Sequence, residues 1–194
     1  MPQLTAELIL RAYSLGIFPM ANGRDDTIIH WVDPKRRGVI GLDQFHISKS
    51  LRKTIRRGGF WVMVDHDFSG VMRNCAARSE TWINDEILKA YQDLYQMGYA
   101  HSLEVYDDTG MVGGVYGVAL GAAFFGESMF STRTDMSKIA LAHLFARLKV
   151  GGFTLFDTQF LTDHLASVGG GEISRAQFQK ELADALKKPA VFTP

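Results

Sequence analysis

The run from Gly121 to Phe160 sets the frame into which the rest of this chain must fit, because it reads as strand, helix, strand. Ala122–Ser131 is an apolar strand broken only by Gly126, Glu127 and small polar residues. Ser137–Leu148 carries Leu141, Leu144, Phe145 and Leu148 at i, i+3, i+4 and i+7, the spacing of one helix face, and Gly151-Gly152 ends it. Phe153–Phe160 is a buried strand in which Asp157 and Gln159, two residues apart, point to the same face. An acid and an amide are costly choices for a short apolar strand unless chemistry or an unpaired backbone uses them.

The flanking sequence supplies further elements. Helices are expected over Thr5–Leu15, Ser48–Arg57, Phe68–Ala77, Asp85–Met97 and Arg175–Leu186, several of them stopped by glycine. Strands are expected over Gly38–Leu42, Phe60–Val64, His101–Tyr106 and Val112–Leu120, with Asp107-Asp108-Thr109-Gly110 as a hairpin turn. Glycines at 113, 114, 117, 121 and 126 weaken strands unless bulges or a close ligand require them. This order predicts an α+β fold around one central mixed sheet. The Trp31-Val32-Asp33-Pro34 segment divides it into a small N-terminal domain (1–35) and a main domain (36–194).

With 21 basic and 21 acidic residues the formal net charge is zero, so no global field draws nucleic acid, and any such contact needs a local patch. The single Cys75 excludes an intramolecular disulfide framework and a multi-cysteine zinc site, and it reads as structural. The six histidines fall into no metal-binding spacing, and Ser128 lies outside any nucleophile elbow. No leader and no membrane-length apolar run are evident, so a cytoplasmic protein is expected, with nothing demanding more than a monomer.

Four groups of residues stand out. Asp157 and Gln159 can form an acid–amide pair in which the carboxylate orients the amide, or can be a polar pair satisfied by backbone at a sheet end. Glu127, set among aromatics and glycines, either serves a cationic or polar ligand or is a strand-edge acid in solvent. Lys49, Arg52, Lys53 and Arg56 lie on one helix face with Arg57 alongside, which fits a phosphate backbone or a plain solvated face. Trp82 and Tyr91 are either stacking surfaces for bases or core aromatics.

Together these words occur in a recognisable order. Ala12–Pro19, Trp31–Pro34, Phe45–Leu51, Thr81-Trp82-Ile83, Gly98–Val105, Val112–Val118, Phe125–Ser131, Ser137–Leu141, Asp157-Thr158-Gln159 and His164–Gly169 make nearly the whole chain resemble a leucyl/phenylalanyl-tRNA–protein transferase. The resemblance implies transfer of Leu or Phe, and more weakly Met, from aminoacyl-tRNA to proteins with N-terminal Arg or Lys, which marks them for the N-degron pathway. It implies a GNAT-like acyltransferase domain after a small N-terminal one, with no cofactor and no metal.

It also implies roles for individual residues. Trp82, Tyr91 and Phe124 would contact the terminal adenosine, with Gly126 letting the tRNA 3′ end approach the backbone. Val115, Met129, Leu141, Leu144, Leu148 and Phe156 would form the amino-acid pocket, and Lys49, Arg52, Lys53, Arg56 and Arg57 the tRNA-backbone surface. Gln159, oriented by Asp157, would help deprotonate the acceptor amine, and Asp157 and Glu127 would bind the acceptor's cationic side chain. Met20 stands where many members carry Trp, so a thioether contact replaces one adenosine stack. Ser131-Thr132-Arg133 replaces the Ser-Arg of many members, and the chain starts later than many, without their glycine-rich leading segment. Acyl-CoA-dependent N-acetyl transfer on the same fold is the alternative, although the Ser131–Lys138 turn has no glycine to cradle a pyrophosphate.

Overall fold

Along the central strands, apolar residues occupy successive positions rather than every second one, which commits the sheet to cover on both faces. The computed structural model describes residues 4–193. Its elements are α1 (Ala6–Ser14), β1 (Phe18–Met20), β2 (His30–Val32), β3 (Arg36–Val39), α2 (Lys49–Arg57), β4 (Trp61–Val64), α3 (Phe68–Ala76), α4 (Asp85–Gln96), β5 (Ala100–Asp107), β6 (Gly110–Leu120), β7 (Ala123–Ser131), α5 (Met136–Val150), β8 (Leu155–Gln159), α6 (Asp163–Ser167), β9 (Gly171–Ser174) and α7 (Arg175–Ala185).

Seven strands form one sheet in the order β4-β5-β6-β7-β8-β3-β9, and β1 pairs with β2 separately. Every pairing is antiparallel except β7–β8, which α5 joins as a crossover. This is the expected α+β architecture with a central mixed sheet. Tyr116, Phe125 and Leu155 enter one core with α1, α3, α4 and α7, while Val115, Phe124 and Phe156 enter the other with α2 and α5. Consecutive residues therefore serve opposite cores.

Local chemistry explains the element ends. Thr5, Ser48, Asp67, Asn84, Thr162 and Ser174 each cap a helix by accepting a backbone N–H bond, as short polar side chains at that position do. The β5–β6 hairpin turns on Asp108-Thr109, where Asp107 Oδ1 accepts from Thr109 N at 2.8 Å. Most elements lie within two residues of the expected bounds. The short β1, β2, β9 and α6 lie outside the elements expected from the sequence, because three to five residues carry too little periodicity to read. The first main strand starts at Arg36 rather than Gly38 and ends at Val39.

The end of β8 shapes the site. Gly38 on β3 faces Gln159, and a Cβ at position 38 would stand 2.5 Å from Thr158 Oγ1, 2.7 Å from Phe160 C and 2.8 Å from Leu161 N. Backbone atoms at that range cannot give way as a flexible side chain can. Gly38→Ala is expected to lower stability by about 1–3 kcal/mol through overpacking, read as a fall in the thermal midpoint.

Candidate active site

Glu127 on β7 and Gln159 at the end of β8 come together because these two strands run parallel side by side. At Gln159 the chain leaves extended geometry for φ +63°, a left-handed conformation uncommon for a residue with a Cβ. Its backbone N–H donates to Asp157 Oδ1 at 2.8 Å. Asp157 is fully buried, and Arg37 holds both its oxygens, Nε to Oδ1 at 2.9 Å and Nη2 to Oδ2 at 2.6 Å. Asp157 thus fixes the backbone of Gln159 rather than its amide, which corrects the expected orientation of the pair. Sealed behind Arg37, it is also out of reach of an acceptor's cationic side chain.

The Gln159 side chain reaches across instead, with Nε2 donating to Glu127 Oε1 at 3.0 Å. Among the described residues its carboxamide oxygen accepts no hydrogen bond, and Gln159 lines the adjoining cavity. Two phenols complete the set. Tyr13 donates to Glu127 Oε1 at 2.5 Å, Tyr91 to Oε2 at 3.1 Å, and the two hydroxyls lie 2.5 Å apart. Burial pushes the Glu127 carboxyl up to about 7, with the Asp157 charge adding to it and the three donors opposing. Burial and the neighbouring Glu127 raise both phenols well above their ordinary value, so they remain protonated donors.

The cavity outside Glu127 and Gln159 measures about 460 Å³ and is walled by Met20, Arg78, Trp82, Met129, Phe160 and His164 among others. A narrow apolar recess of about 50 Å³ leads off it between Val115, Gly126, Leu141, Phe156 and Leu165, sharing Glu127, Ser128 and Met129 with the larger space. A polar cleft shares Ser131, Ser137 and His164 with the cavity and runs past Thr132, Arg133 and Lys138 to Asp135. Asp135 accepts from Thr54 Oγ1 of α2 at 2.9 Å, so the cleft ends beside the basic helix.

A family model described as leucyl/phenylalanyl-tRNA protein transferase matches residues 39–183, and its N-terminal companion matches residues 2–35. The chain belongs to this family. Members from Cereibacter sphaeroides and Ruegeria, each called leucyl/phenylalanyl-tRNA–protein transferase, are 61% and 59% identical, over 100% and 97% of this chain and 90% of their own. One from Paramagnetospirillum magneticum is 55% identical over 99% of this chain and 94% of its own. The protein is therefore an aminoacyltransferase that works from leucyl- or phenylalanyl-tRNA onto protein. Among solved structures, L-PGS from Bacillus licheniformis aligns at TM-score 0.47 and 15% identity, over 77% of this chain and 56% of its own. A GCN5-related N-acetyltransferase-like protein from Streptococcus suis aligns at 0.36 and 16%, over 72% and 59%.

Several residues fall elsewhere in this transferase than their expected roles required. Phe124 is buried and packs parallel to Phe156 and Phe192 at 6.0 and 5.5 Å, so no base can stack on it. Tyr91 is also fully buried and acts through its hydroxyl. Leu144 and Leu148 lie in the core below the recess and do not line it, unlike Leu141. Gly126 borders the recess where a Cβ would meet Phe156 Cζ at 3.0 Å, so its smallness serves strand packing as well. Lys49, Arg52, Lys53, Arg56 and Arg57 lie on the solvent side of α2, and none is within 4.0 Å of a carboxylate among the described residues.

Tyr13, Arg37, Arg78 and His164 border the site without a sequence signal that marks them. Tyr13 sits in the apolar stripe of α1 and reads as core, and Arg37 reads as part of the Lys35-Arg36-Arg37 charge run. Cys75 is buried, and burial pushes its thiol up to about 12, which suits a structural residue.

Proposed function

We propose that this chain transfers Leu or Phe, and less well Met, from aminoacyl-tRNA to the α-amino group of proteins with N-terminal Arg or Lys, so marking them for N-degron degradation. The observation that carries the reading is the Glu127–Gln159 pair standing between an apolar recess and an open cavity. In this reading the donor's side chain enters the recess. Flexible Met129, half-buried at its mouth, is the wall that yields to it. Met20 and Trp82 pack against the terminal adenosine, and the 3′ end leaves along the polar cleft towards α2. Residues 1–35 act as a small domain that supplies Met20, and residues 36–194 carry the chemistry. The enzyme works as a cytoplasmic monomer.

The ester that joins the amino acid to the tRNA is already activated. The acceptor's α-amine attacks its carbonyl carbon, the new peptide C–N bond forms, and the C–O bond to the ribose breaks. The proton lost by the amine ends on the departing ribose oxygen. The free carboxamide oxygen of Gln159 holds the amine on its line of attack, and Glu127, ionised in part near neutrality, favours the cationic acceptor. Positioning of two bound substrates supplies much of the rate. Labelled Phe or Leu supplied on tRNA is expected to reach peptides that begin with Arg or Lys and not otherwise identical peptides that begin with Asp or Gly. Absence of transfer to both basic peptides would remove this reading.

A further inference from the structure

We propose that Arg37 is the positioning residue of the transfer reaction, one guanidinium that locks the catalytic strand to the segment carrying Met20. The inference rests on the roles given above to Gln159 and Glu127. Arg37 is 1% exposed, and each arm of its fork is used. Nε and Nη2 grip the two oxygens of Asp157, and Nη1 donates to the Gly16 carbonyl at 2.7 Å. The guanidinium lies between the Phe18 and Phe178 rings, 4.7 and 4.3 Å from their centroids. Gly16 and Phe18 shortly precede Met20 on the cavity wall, so this one side chain spans both sides of the site.

A buried ion pair is a poor device for stability alone, since well-packed apolar side chains of similar volume do as well. What the pair supplies is geometry. With both carboxylate oxygens fixed, Oδ1 also receives the Gln159 N–H, and that bond holds Gln159 in the left-handed turn from which its amide reaches Glu127. Without the grip, Asp157 is free to rotate and Gln159 to relax into extended strand, which carries its amide away from Glu127. Lysine keeps the charge but cannot make three directed bonds at once.

The test compares wild type, Arg37→Lys, Arg37→Gln, Asp157→Asn and the Arg37→Lys/Asp157→Asn double variant, with Phe-tRNA and an N-terminal Arg peptide. Either Arg37 variant, where it folds, is expected to lose about tenfold or more in kcat with little change in the peptide's KM, as misplacement of a reacting group does. Amide exchange at Gln159 should quicken while α5 amides stay protected. The double variant should be no slower than the slower single one, because both substitutions break one chain of contacts. Full kcat in a folded Arg37 variant, multiplying losses in the double variant, or failure of both Arg37 variants to fold would each overturn the proposal. A wild-type enzyme that does not transfer Phe would instead overturn the functional reading, so the two failures are distinct.

Discussion

Glu127→Gln is expected to lower transfer of Phe to an N-terminal Arg peptide by about 10²-fold, the scale of losing one partner of a buried charged contact, while relieving a pH-dependent strain on the fold. Burial puts the Glu127 carboxyl at about 7, well above its ordinary 4.5. The folded protein therefore binds this proton more tightly than the unfolded chain does. The stability linked to it is present in full below pH 4.5 and is lost as pH rises through about 7, a loss on the order of 3 kcal/mol for this group. The substituted amide has no proton to lose, so the variant's thermal midpoint should fall less than the wild type's between pH 4.5 and 7.

Activity should move the other way. In the proposed role the ionised carboxylate is the form that attracts a cationic acceptor, so wild-type kcat/KM should rise through about pH 7. The acceptor's own α-amine titrates nearby, at about 7.7–8.0. The variant's profile should keep the amine's step and lose that of Glu127. A variant that transfers within a few-fold of wild type, with an unchanged profile, would remove Glu127 from acceptor binding. Tyr13 and Tyr91 let the substitution be tolerated, because a hydroxyl can turn to accept from the new amide.

The residues that sequence identified are those whose signal is local. The stripe Leu141, Leu144, Phe145 and Leu148 told which face of α5 is buried, and the alternation of β8 told that Asp157 and Gln159 belong together. The stripe by itself reads as core, which is where Leu144 and Leu148 lie. The pocket role that the resemblance implies for all three fits Leu141 alone among them, because periodicity cannot tell how far along a helix a cavity extends. Arg36 and Arg37 look alike in the chain. Strand geometry sends the first outward to Glu172 and the second inward to Asp157, which is 120 residues away in sequence. Tyr91 lies among polar neighbours, but its helix turns it into the core and leaves its hydroxyl under Glu127. Each of these depends on pairing between distant segments, and neither composition nor spacing encodes that directly. The left-handed turn at Gln159 is of the same kind, since it exists because Asp157 holds it and Gly38 leaves room for it.

Replacing Lys49, Arg52, Lys53 and Arg56 together by Ala should raise the KM for aminoacyl-tRNA by roughly 10²-fold near physiological salt while leaving kcat at saturating tRNA close to wild type. The chain as a whole carries no net charge, so the field that gathers a polyanion must be local. Helix α2 offers these cations on a short span, and among the described residues none of them has a carboxylate within 4.0 Å. Its contact with Asp135 places it at the outer end of the polar cleft that leads to Glu127. Four phosphate contacts give log affinity a slope of about −3 to −4 against log salt, so a fourfold rise in salt weakens binding by roughly 10²-fold. Removing the four cations should flatten that slope as well as lower the affinity, and the flattening separates lost phosphate contacts from a damaged fold. A merely solvated face predicts something else, a change of a few tenths of a kcal/mol in stability from Arg56 near the helix C-terminus. Unaltered KM and an unaltered salt slope in the quadruple variant would assign the face to solvent and send the search for the tRNA path elsewhere. Arg133 and Lys138, which line the cleft itself, would then be the next cations to replace.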